Sequence, residues 1–446
     1  MTLAVAKTEV EQALAAQFEA VAAGLPGGGW VPASRAKAMR AFLATGLPHR
    51  RIEAWKYTDL RSGIAVAYPP ANDTAWAFDA GALLAALGPE LAQLDCIRIV
   101  IVNGSVRDIA APAGYGLDTE VHIGRLAEAL GQPGSDWMRP LIEAGEGPAV
   151  DTVLALNAAF VTDGVVLRVV ADARLALPIH IISLADPGKP SAIATRNLIR
   201  IDAGAHAVIL ESHVGQAGAQ GQATAVTQIE VAAGAEVQHI KLVRAGTDST
   251  HLGRWDVALS ATAVYRGFQL TAGAGLLRNE THVSFKGPDA KFDLSGLMLG
   301  RGGDHVDTTL VVNHTTTGCE SRELFKSVLD DRARAVFQGK IVVAPEAQKT
   351  DGKQMAQALM LSEDAEFDSK PELEIYADDV VCGHGSTVAE IDPQMLFYLR
   401  SRGLSRDDAR TMLIESFVAE ALDKIEDEAV RQVARVMALA WLGARA

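Results

Sequence analysis

The sequence has few of the features that mark secreted, membrane or disulfide-rich proteins. It contains only 3 cysteines, Cys96, Cys319 and Cys382, in 446 residues, and no two of them form a C-x-x-C pair. Neither a disulfide framework nor a self-contained zinc module is therefore indicated. The first ten residues lack a basic segment leading into an apolar run, and no uncharged apolar stretch reaches about 18 residues. We expect a cytosolic protein that is not inserted in a membrane.

Loops that bind nucleotide phosphates are also missing. The pairs Gly339-Lys340 and Gly352-Lys353 lack the upstream glycine and the following Ser or Thr of such a loop. The segments Gly273-Ala-Gly275 and Gly300-Arg-Gly302 are not completed to G-x-G-x-x-G. If ATP drives the work of this protein, a partner must hydrolyse it.

Acidic residues outnumber basic ones, and this balance excludes some classes of partner. The chain has 55 acidic and 41 basic residues, and its net charge of −14 argues against a nucleic-acid interface, which needs clustered Lys and Arg. The same charge does not favour adhesion to anionic lipid. With 49% hydrophobic and 22% charged residues, the composition is that of a globular protein, and the length allows two or three domains.

Residues 1–150 are predicted to form an N-terminal region that is helical first and α+β at its end. Apolar residues recur at helical spacing over Glu9–Ala23, and a second helical stretch over Pro32–Leu43 follows a glycine-rich break. The β-branched run Cys96–Val102 ends in Asn103-Gly104, which predicts a strand followed by a turn.

Residues 151–391 have a different sequence pattern, in which short Val-, Ile- and Thr-rich runs are broken by Gly, Asp and Asn. A pattern of four consecutive residues recurs along this region. It consists of a turn-type or polar residue, an alanine, any residue and then an apolar residue. The alanines of the repeat are Ala205, Ala235, Ala263, Ala290, Ala335 and Ala365. Their intervals of 30, 28, 27, 45 and 30 residues predict stacked coils, with the long interval taken as an insertion or an extra partial coil. We predict a mainly β fold with a right-handed parallel β-helix as its core, although such triplets are common in an alanine-rich chain.

Residues 392–446 are predicted to form a C-terminal helical domain. Asp392-Pro393 supplies an N-cap and a proline in the first turn, and Ser405 begins a long helix that runs to Ile425. A further helix is predicted over residues 428–442. The apolar stripe on the long helix consists of Met412, Leu413, Phe417, Ala421 and Ile425. Such a stripe is more often a core face than a groove for a partner, and both interpretations stay open.

The segment Cys382-Gly-His-Gly385 is the most informative motif for function. On an extended strand, Cys382 and His384 point to the same face, roughly 7 Å apart. A thiol and an imidazole make half of a soft-metal site, because zinc or an iron–sulfur cluster ordinarily takes about four protein ligands. Nearby sequence supplies no second thiol, so the remaining ligands would come from another chain. From the residues alone, a buried cysteine and a hydrogen-bonded core histidine are the more common explanation.

Two further groups of residues could carry chemistry. Cys319 follows His314 by five residues, but a Cys–His nucleophile needs a spatial contact that sequence does not show, and a turn with a buried cysteine is the commoner arrangement. His305 lies between Asp304 and Asp307, and paired carboxylates on a β-helix could cleave a polysaccharide. A carbohydrate-active β-helix enzyme is therefore a rival function. The aromatic content of 5% disfavours it, since sugar-binding grooves use aromatic stacking.

A set of motifs along the chain matches the pattern of a known family. The motifs are Leu156-Asn-Ala-Ala-Phe160 with Asp163-Gly164, Asn313-His-Thr-Thr-Thr-Gly-Cys-Glu-Ser321, Arg334-Ala-Val-Phe-Gln-Gly339, Lys349-Thr-Asp-Gly352, Lys370-Pro-Glu-Leu-Glu-Ile-Tyr-Ala-Asp-Asp379, Cys382-Gly-His-Gly385, Phe397-Tyr-Leu-Arg-Ser-Arg-Gly403 and, near the N-terminus, Arg51-Ile-Glu-Ala-Trp-Lys-Tyr-Thr58. Together they resemble the SufB/SufD family of the SUF iron–sulfur cluster assembly machinery. SufB-type chains carry a cysteine and a Glu-His-Glu-Ala-Thr segment where this chain has Thr350-Asp351-Gly352 and Cys382-Gly-His-Gly-Ser-Thr387. The resemblance is therefore to the SufD type.

The resemblance implies a non-catalytic scaffold subunit of the assembly complex. SufD-type subunits pair with SufB through their β-helices, and the nascent iron–sulfur cluster forms at that interface, with His384 as an iron ligand and Cys382 as a thiolate neighbour. The C-terminal helices resemble the region that binds SufC, an ABC-type ATPase. Because the two subunit types resemble each other in fold, the isolated chain could also pair with itself, and the sequence leaves this open. Some assembly complexes of this kind are associated with a reduced flavin, for which no residue here identifies a site. A purely structural partner of SufB is the remaining alternative.

Overall fold

The N-terminal part of the computed structural model is helical before its first strands. The structure describes residues 7–71, 80–112, 115, 119–143, 151–186, 188–215, 220–273 and 275–443. The helices of the N-terminal part are α1 (Glu9–Val21), α2 (Val31–Thr45), α3 (Leu60–Gly63), α4 (Ala80–Leu87), α5 (Pro89–Ala92), α6 (Leu126–Ala129), α7 (Arg139–Ile142) and α8 (Thr152–Phe160), with 3₁₀ turns at Ala22–Gly24, Glu53–Trp55 and Ser135–Met138. Its strands are β1 (Ile97–Val102), β2 (Ser105–Ala110) and β3 (Val121–Arg125). The two long helices and the first strand predicted from the sequence are confirmed.

Regular strands follow one another through the rest of the chain until three helices end it. The strands are β4 (Val165–Val169), β5 (Ile179–Leu184), β6 (Ser191–Ile201), β7 (His206–Val214), β8 (Gly221–Val231), β9 (Glu236–Arg244), β10 (Ser249–Leu259), β11 (Val264–Ala272), β12 (Leu276–Phe285), β13 (Lys291–Gly300), β14 (His305–His314), β15 (Glu320–Leu329), β16 (Arg334–Val343), β17 (Asp351–Met360), β18 (Glu366–Ile375) and β19 (Val381–Glu390). The helices are α9 (Pro393–Ser401), α10 (Arg406–Leu422) and α11 (Glu428–Gly443). Asp392 and Ser405 cap α9 and α10 as predicted, since each side chain accepts a backbone N–H of the first turn.

The strands from β4 onward wind into a parallel β-helix of about eight turns. Even-numbered strands build a sheet in the order β18-β16-β14-β12-β10-β8-β6-β4-β3, and odd-numbered strands build the sheet β19-β17-β15-β13-β11-β9-β7-β5-β1-β2. Each strand therefore pairs with the strand one coil before it and the strand one coil after it. The predicted mainly β fold with a parallel β-helix core is confirmed.

The N-terminal strands extend these same two sheets. β1 pairs in parallel with β5, and β2 pairs with β1 in antiparallel fashion. β3 pairs antiparallel with β4. The first coil is thus covered by strands of the N-terminal part. The division of the chain at residues 150 and 391 stays a prediction.

The alanine repeat marks one corner of the successive coils. The residues at this corner are Ala173, Ala205, Ala235, Ala263, Ala290, Cys319 and Thr350, and all of them are buried. The residue before each has a positive φ between 58° and 72°. This left-handed backbone, which glycine and short polar residues adopt most readily, turns the chain into the next strand while the small corner side chain points inward.

The interval of 45 residues between Ala290 and Ala335 is not an insertion. The corner after Ala290 is Cys319, 29 residues further on, and the next is Thr350, so the coils continue at nearly constant length. Ala335 lies inside β16 of the other sheet, and Ala365 lies directly before β18 of that sheet. The interpretation as an insertion or an extra partial coil is therefore wrong, because the corner residue changes while the period does not.

Helices cover the outer faces of both sheets. Apolar side chains of α1, α2 and α8 pack against the sheet of even-numbered strands, and those of α10 and α11 pack against the sheet of odd-numbered strands. The buried face of α10 and the turn after it consists of Ile414, Val418, Ala421, Leu422 and Ile425. The interpretation of the predicted stripe as a core face thus holds at Ala421 and Ile425 but not at Met412, which is 48% exposed. Within the described part of the chain, no helix is long and apolar enough to cross a membrane.

A buried arginine anchors α8 to the β-helix. Arg196 on β6 donates Nε and Nη2 to the side-chain oxygen of Asn157 at 3.1 and 2.9 Å, and its Nη1 donates to the carbonyl of Leu141 at 2.8 Å. Asn157 in turn donates its amide to the carbonyls of Thr195 and Thr224, both at 3.1 Å. These bonds satisfy groups that would otherwise be costly to bury, so the sequence of α8 fixes its position on the sheet.

The corner position of Cys319 leads to a test by substitution. Because five of the other six corners hold alanine, Cys319→Ala should change the free energy of unfolding by no more than about 1 kcal/mol. Cys319→Leu should lower it by about 1–3 kcal/mol, because a corner side chain with 0% exposure leaves no room for added methyl groups. Urea unfolding followed by circular dichroism measures both values. Equal stabilities of the two variants would contradict this packing role.

Candidate functional site

The last coil of the β-helix has no further coil stacked on it among the described residues. β18 and β19 are the end strands of the two sheets, so one side of each lacks a strand neighbour there. Every residue of β18 except its two ends is partly buried, whereas six of the eight equivalent residues of β16 are buried. An open strand edge presents N–H and C=O groups that can pair with another chain. Both strand edges at this end of the β-helix are therefore open to strand pairing.

Cys382 and His384 both lie on β19, at this open end. Cys382 stands beside Gly352 and His384 beside Gln354 in the register with β17. Gly352 and Gln354 point into the β-helix, since both are buried while the alternate residues Lys353 and Met355 are exposed. Cys382 and His384 therefore continue the inward-facing columns onto a coil that none of the described residues covers with a further coil. The sequence expectation that both side chains share one face is thus met.

The two candidate ligands differ in burial. His384 is exposed, while Cys382 is partly buried and packs against the interior core of the β-helix. Burial raises the pKa of the Cys382 thiol, and the nearby acidic residues Asp351 and Glu323 add to this effect. Cys382 therefore stays a thiol at neutral pH until a cation or a partner's positive charge stabilises the thiolate. A hydrogen-bonded core histidine, the commoner explanation for His384, does not fit its exposure.

A buried carboxyl group stands two strands behind His384. Glu323 on β15 is paired in register with Gln354, which is paired with His384. Glu323 is 3% exposed, and the one polar side chain close enough to lower its pKa by a hydrogen bond is Ser321, which points inward from the same strand. Burial raises the pKa of Glu323 to about 8. Glu323 is therefore a neutral acid at pH 7, and it would become a carboxylate if a cation approached from the open end.

Exposed apolar side chains surround the open end. They are Met355, Ile375, Tyr376, Val381, Val388, Met395, Phe397 and Tyr398, each between 36% and 73% exposed. Met355 lies over Gly385, where an added Cβ would come within 2.6 Å of its terminal methyl group. A cluster of large apolar side chains on the surface marks an interaction site more often than a solvated face.

The donor set at this end is incomplete for a metal. An imidazole and a thiol suit iron, zinc or an iron–sulfur cluster, but these take about four ligands. Within the described residues, no group of three or more His, Cys, Asp or Glu side chains is placed to hold a metal ion. The two residues fit half of a site whose other half another chain would supply.

The structure does not bring Cys319 and His314 together as a nucleophile and base. The Cys319 sulfur contacts the hydroxyl of Thr316 at 3.3 Å and the carbonyl of Gly287 at 3.5 Å. The ring of His314 instead bonds the hydroxyl of Ser321 at 3.1 Å and stacks on Phe285. Because both residues are buried and have different partners, the interpretation of Cys319 as a buried corner residue holds.

Asp304 and Asp307 do not form the paired carboxylates of a polysaccharide-cleaving enzyme. Asp304 accepts the backbone N–H of Arg301 at 3.1 Å within a turn. Asp307 is fully buried and forms an ion pair with Arg278, which also stacks on Trp55 at 3.9 Å. Both carboxylates therefore have structural partners, and this pair gives no support to the rival carbohydrate-active function.

Sequence reasoning missed the polar residues inside the β-helix. Glu211, His213, His239, Lys241 and Glu323 all point inward from strands of the odd-numbered sheet. The available signal was the spacing of polar residues two apart on apolar strands, as in Glu211-Ser-His213. Only the stacking of coils shows that such pairs from different strands meet.

Comparisons with known proteins agree with this architecture and motif pattern. A family model described as "SUF system FeS cluster assembly, SufBD core domain" matches residues 183–417, and one described as "SufBD protein N-terminal region" matches residues 29–181. The iron–sulfur cluster assembly protein SufD of Escherichia coli is 33% identical over 395 residues, 88% of this chain and 89% of the relative. A SufBD family protein of Synechocystis is 31% identical over 407 residues, 85% of this chain and 84% of the relative. SufD of Bacillus subtilis is 31% identical over 154 residues, 34% of this chain and 35% of the relative. The chain therefore belongs to the SufBD family of SUF-system iron–sulfur cluster assembly proteins.

Proposed function

We propose that this chain is the SufD-type scaffold subunit of an iron–sulfur cluster assembly complex, and that it contributes His384 and Cys382 to a nascent cluster shared with a SufB-type subunit. The observation that carries the proposal is the exposed imidazole beside a half-buried thiol on the uncovered last coil. The cluster is the cargo of the complex, and the chain itself performs no catalysis. It holds one side of the cluster while the partner supplies the sulfur-receiving groups.

The two residues have different roles in this proposal. His384 is accessible without rearrangement, and a neutral imidazole is a ready ligand for iron. Cys382 must lose a proton first, because burial and nearby acids raise its pKa. Iron bound at His384 would supply the positive charge that stabilises the Cys382 thiolate. His384 therefore binds first, and Cys382 joins when the partner has closed the site.

Pairing with the SufB-type subunit uses the end of the β-helix. The open edges of β18 and β19 can extend their sheets into a partner that has the same fold, and the exposed apolar side chains around them supply area that becomes buried. In the absence of the partner, a second copy of this chain can occupy the same edge. The isolated chain would then be a homodimer.

The C-terminal helices are the proposed docking site of a SufC-type ATPase. α10 packs its buried face on the odd-numbered sheet and leaves Met412 on its outer face. Because these helices pack on the β-helix, they can transmit a movement of the ATPase to the pair of SufB- and SufD-type subunits. The pair would then alternate between two arrangements. A reduced flavin in the complex stays an expectation from the family resemblance.

Replacing the proposed iron ligand should separate cluster assembly from complex formation. We expect the His384→Ala variant, co-expressed with SufB- and SufC-type partners, to retain the complex but to bind at least about tenfold less iron and sulfide. The reason is that removing even a residue that supports a metal ligand lowers metal affinity about tenfold or more, and removing the ligand itself should cost no less. Absorbance spectra and iron analysis of the purified complex measure this. His122→Ala is the matched control, because His122 is also exposed but lies on β3, at the far end of its sheet. An unchanged cluster content in His384→Ala would reduce the chain to a structural partner of SufB.

A charge placed at the open end should prevent subunit pairing. Val388 on β19 is 58% exposed, and burying an unpaired carboxylate there costs about 3–5 kcal/mol, so Val388→Asp should weaken association with the SufB-type partner at least about 100-fold. Analytical ultracentrifugation of the mixed subunits gives the dissociation constant. Val66→Asp, at a valine that is 51% exposed in the N-terminal part, should pair normally. Normal pairing of Val388→Asp would place the interface elsewhere.

The exposed face of α10 can be tested in the same way. Met412→Glu should weaken binding of the SufC-type ATPase about tenfold, because it replaces an apolar contact with a charge, while pairing with the SufB-type subunit is retained. Pull-down with the purified ATPase at several concentrations measures the loss. If Met412→Glu and Val66→Asp bind the ATPase equally well, this face of α10 is not the docking site.

A further inference from the structure

The two open strand edges at the end of the β-helix are not equivalent. In a parallel sheet, the N–H and C=O groups of one residue point to the same neighbouring strand, and those of the next residue point to the strand on the other side. The N–H of Glu366 donates to Ala333, directly before β16, and the N–H of Val381 donates to Thr350, directly before β17. Every second residue, starting from Phe367 in β18 and from Cys382 in β19, therefore directs its backbone groups to the open edge.

A proline interrupts the open edge of β18. The residues whose backbone faces this edge are Phe367, Ser369, Pro371, Leu373 and Ile375. Pro371 has no N–H, so the edge lacks a donor in the middle of the strand. Pro371 stands beside Gly339 of β16 in register, and the pairing with β16 loses nothing because the missing N–H would point away from it. A strand added to β18 would thus leave one of its own acceptors without a partner.

The outward-facing side chains of β18 are all charged. They alternate with Phe367 and Leu373, which pack on the interior core. The charged residues are Glu366, Asp368, Lys370, Glu372 and Glu374. Arg334 and Lys340 on β16 hold three of the acidic residues by ion pairs, and Glu53 of the N-terminal part holds Lys370. Charged side chains and proline are the features by which proteins keep an edge strand from pairing, so β18 is a protected edge.

The open edge of β19 has neither form of protection. The residues whose backbone faces it are Cys382, His384, Ser386, Val388 and Glu390, and each has an N–H. The residues between them are Val381, Gly383, Gly385, Thr387 and Ala389, and none carries a charge. Met355 of β17 lies over Gly385 and makes this outer face apolar there. The edge of β19 therefore offers an unbroken series of donors and acceptors beside an uncharged outer face.

We propose that the SufB-type subunit adds an edge strand to β19 and not to β18, so that one sheet of the β-helix continues across the interface while the other sheet ends there. This assignment rests on the proposed function, because it concerns the same end of the β-helix and the same partner. The partner strand lies about 4.8 Å from β19 and presents an uncharged outer face to it. Its hydrogen bonds hold the backbone of Cys382 and His384, so pairing of the subunits also fixes the position of the half-site.

Hydrogen–deuterium exchange of the unmodified chain, alone and in complex with a SufB-type subunit, tests the choice of edge. Amides in peptides that cover residues 381–390 should exchange about tenfold more slowly in the complex, because their edge-facing N–H groups become hydrogen-bonded. Peptides that cover residues 366–375 should exchange as before. Equal protection of both strands, or protection of β18 alone, would overturn this proposal and leave pairing at the end of the β-helix intact. Protection of neither strand in the complex would overturn that pairing as well.

Proline substitutions give a second test with matched controls. Ser386→Pro removes an N–H at the open edge of β19 and should weaken association with the SufB-type subunit about tenfold, because an acceptor of the partner is left unpaired. Ser386→Ala keeps this N–H and should associate as the unmodified chain does. Ser369→Pro removes the equivalent N–H at the edge of β18 and should also associate normally. Analytical ultracentrifugation gives the dissociation constants, and circular dichroism checks that each variant is folded. Normal association of Ser386→Pro, or an equal loss in Ser369→Pro, would contradict strand addition at β19.

Discussion

A coil of a β-helix can bury its inward side chains only against the coils on either side of it, and most features of this molecule depend on that constraint. At the beginning of the stack, β1, β2 and β3 extend both sheets and cover the first coil. At the other end, the described chain supplies no equivalent cover. The inward columns simply stop at β19, and the side chains that reach solvent there include a thiol and an imidazole. The same geometry that stabilises the middle of the β-helix therefore leaves an incomplete site at its end.

The outer faces of the two sheets, unlike the last coil, are covered by other parts of the chain. Helices of the N-terminal part cover one sheet and the C-terminal helices cover the other, so the outer apolar columns are buried within the chain. At the last coil, by contrast, strand edges, exposed apolar side chains, a thiol and an imidazole occur together. In the proposed complex, a partner of similar fold would add there, and the C-terminal helices would connect the β-helix to the ATPase.

The interior of this β-helix is unusually polar for a structure held together by burial. Two carboxyl groups show how differently such residues can be accommodated. Glu211 is ionised because three donors surround it, whereas burial of Glu323 outweighs the effect of its neighbour Ser321 and raises the pKa of this carboxyl group to about 8. A buried carboxyl group with few donors is costly to ionise, so it stays neutral at pH 7. Glu323 lies in the same inward column as His384, two strands away.

The sequence by itself determined the type of fold and the strand face on which Cys382 and His384 lie. A period near 30 residues in β-rich sequence has one good physical solution, and the i, i+2 spacing of Cys382 and His384 places both on one face of a strand. It misassigned the interval after Ala290, because Cys319 and Thr350 occupy corners that a search for alanine does not find. Only the tertiary structure decided which side chains meet across coils, because contacts such as Glu211 with His239 depend on the register between strands 28 residues apart in the sequence. It also decided that His384 is exposed while Cys319 and His314 are buried and separate, since burial is set by which coil has neighbours and not by any local pattern.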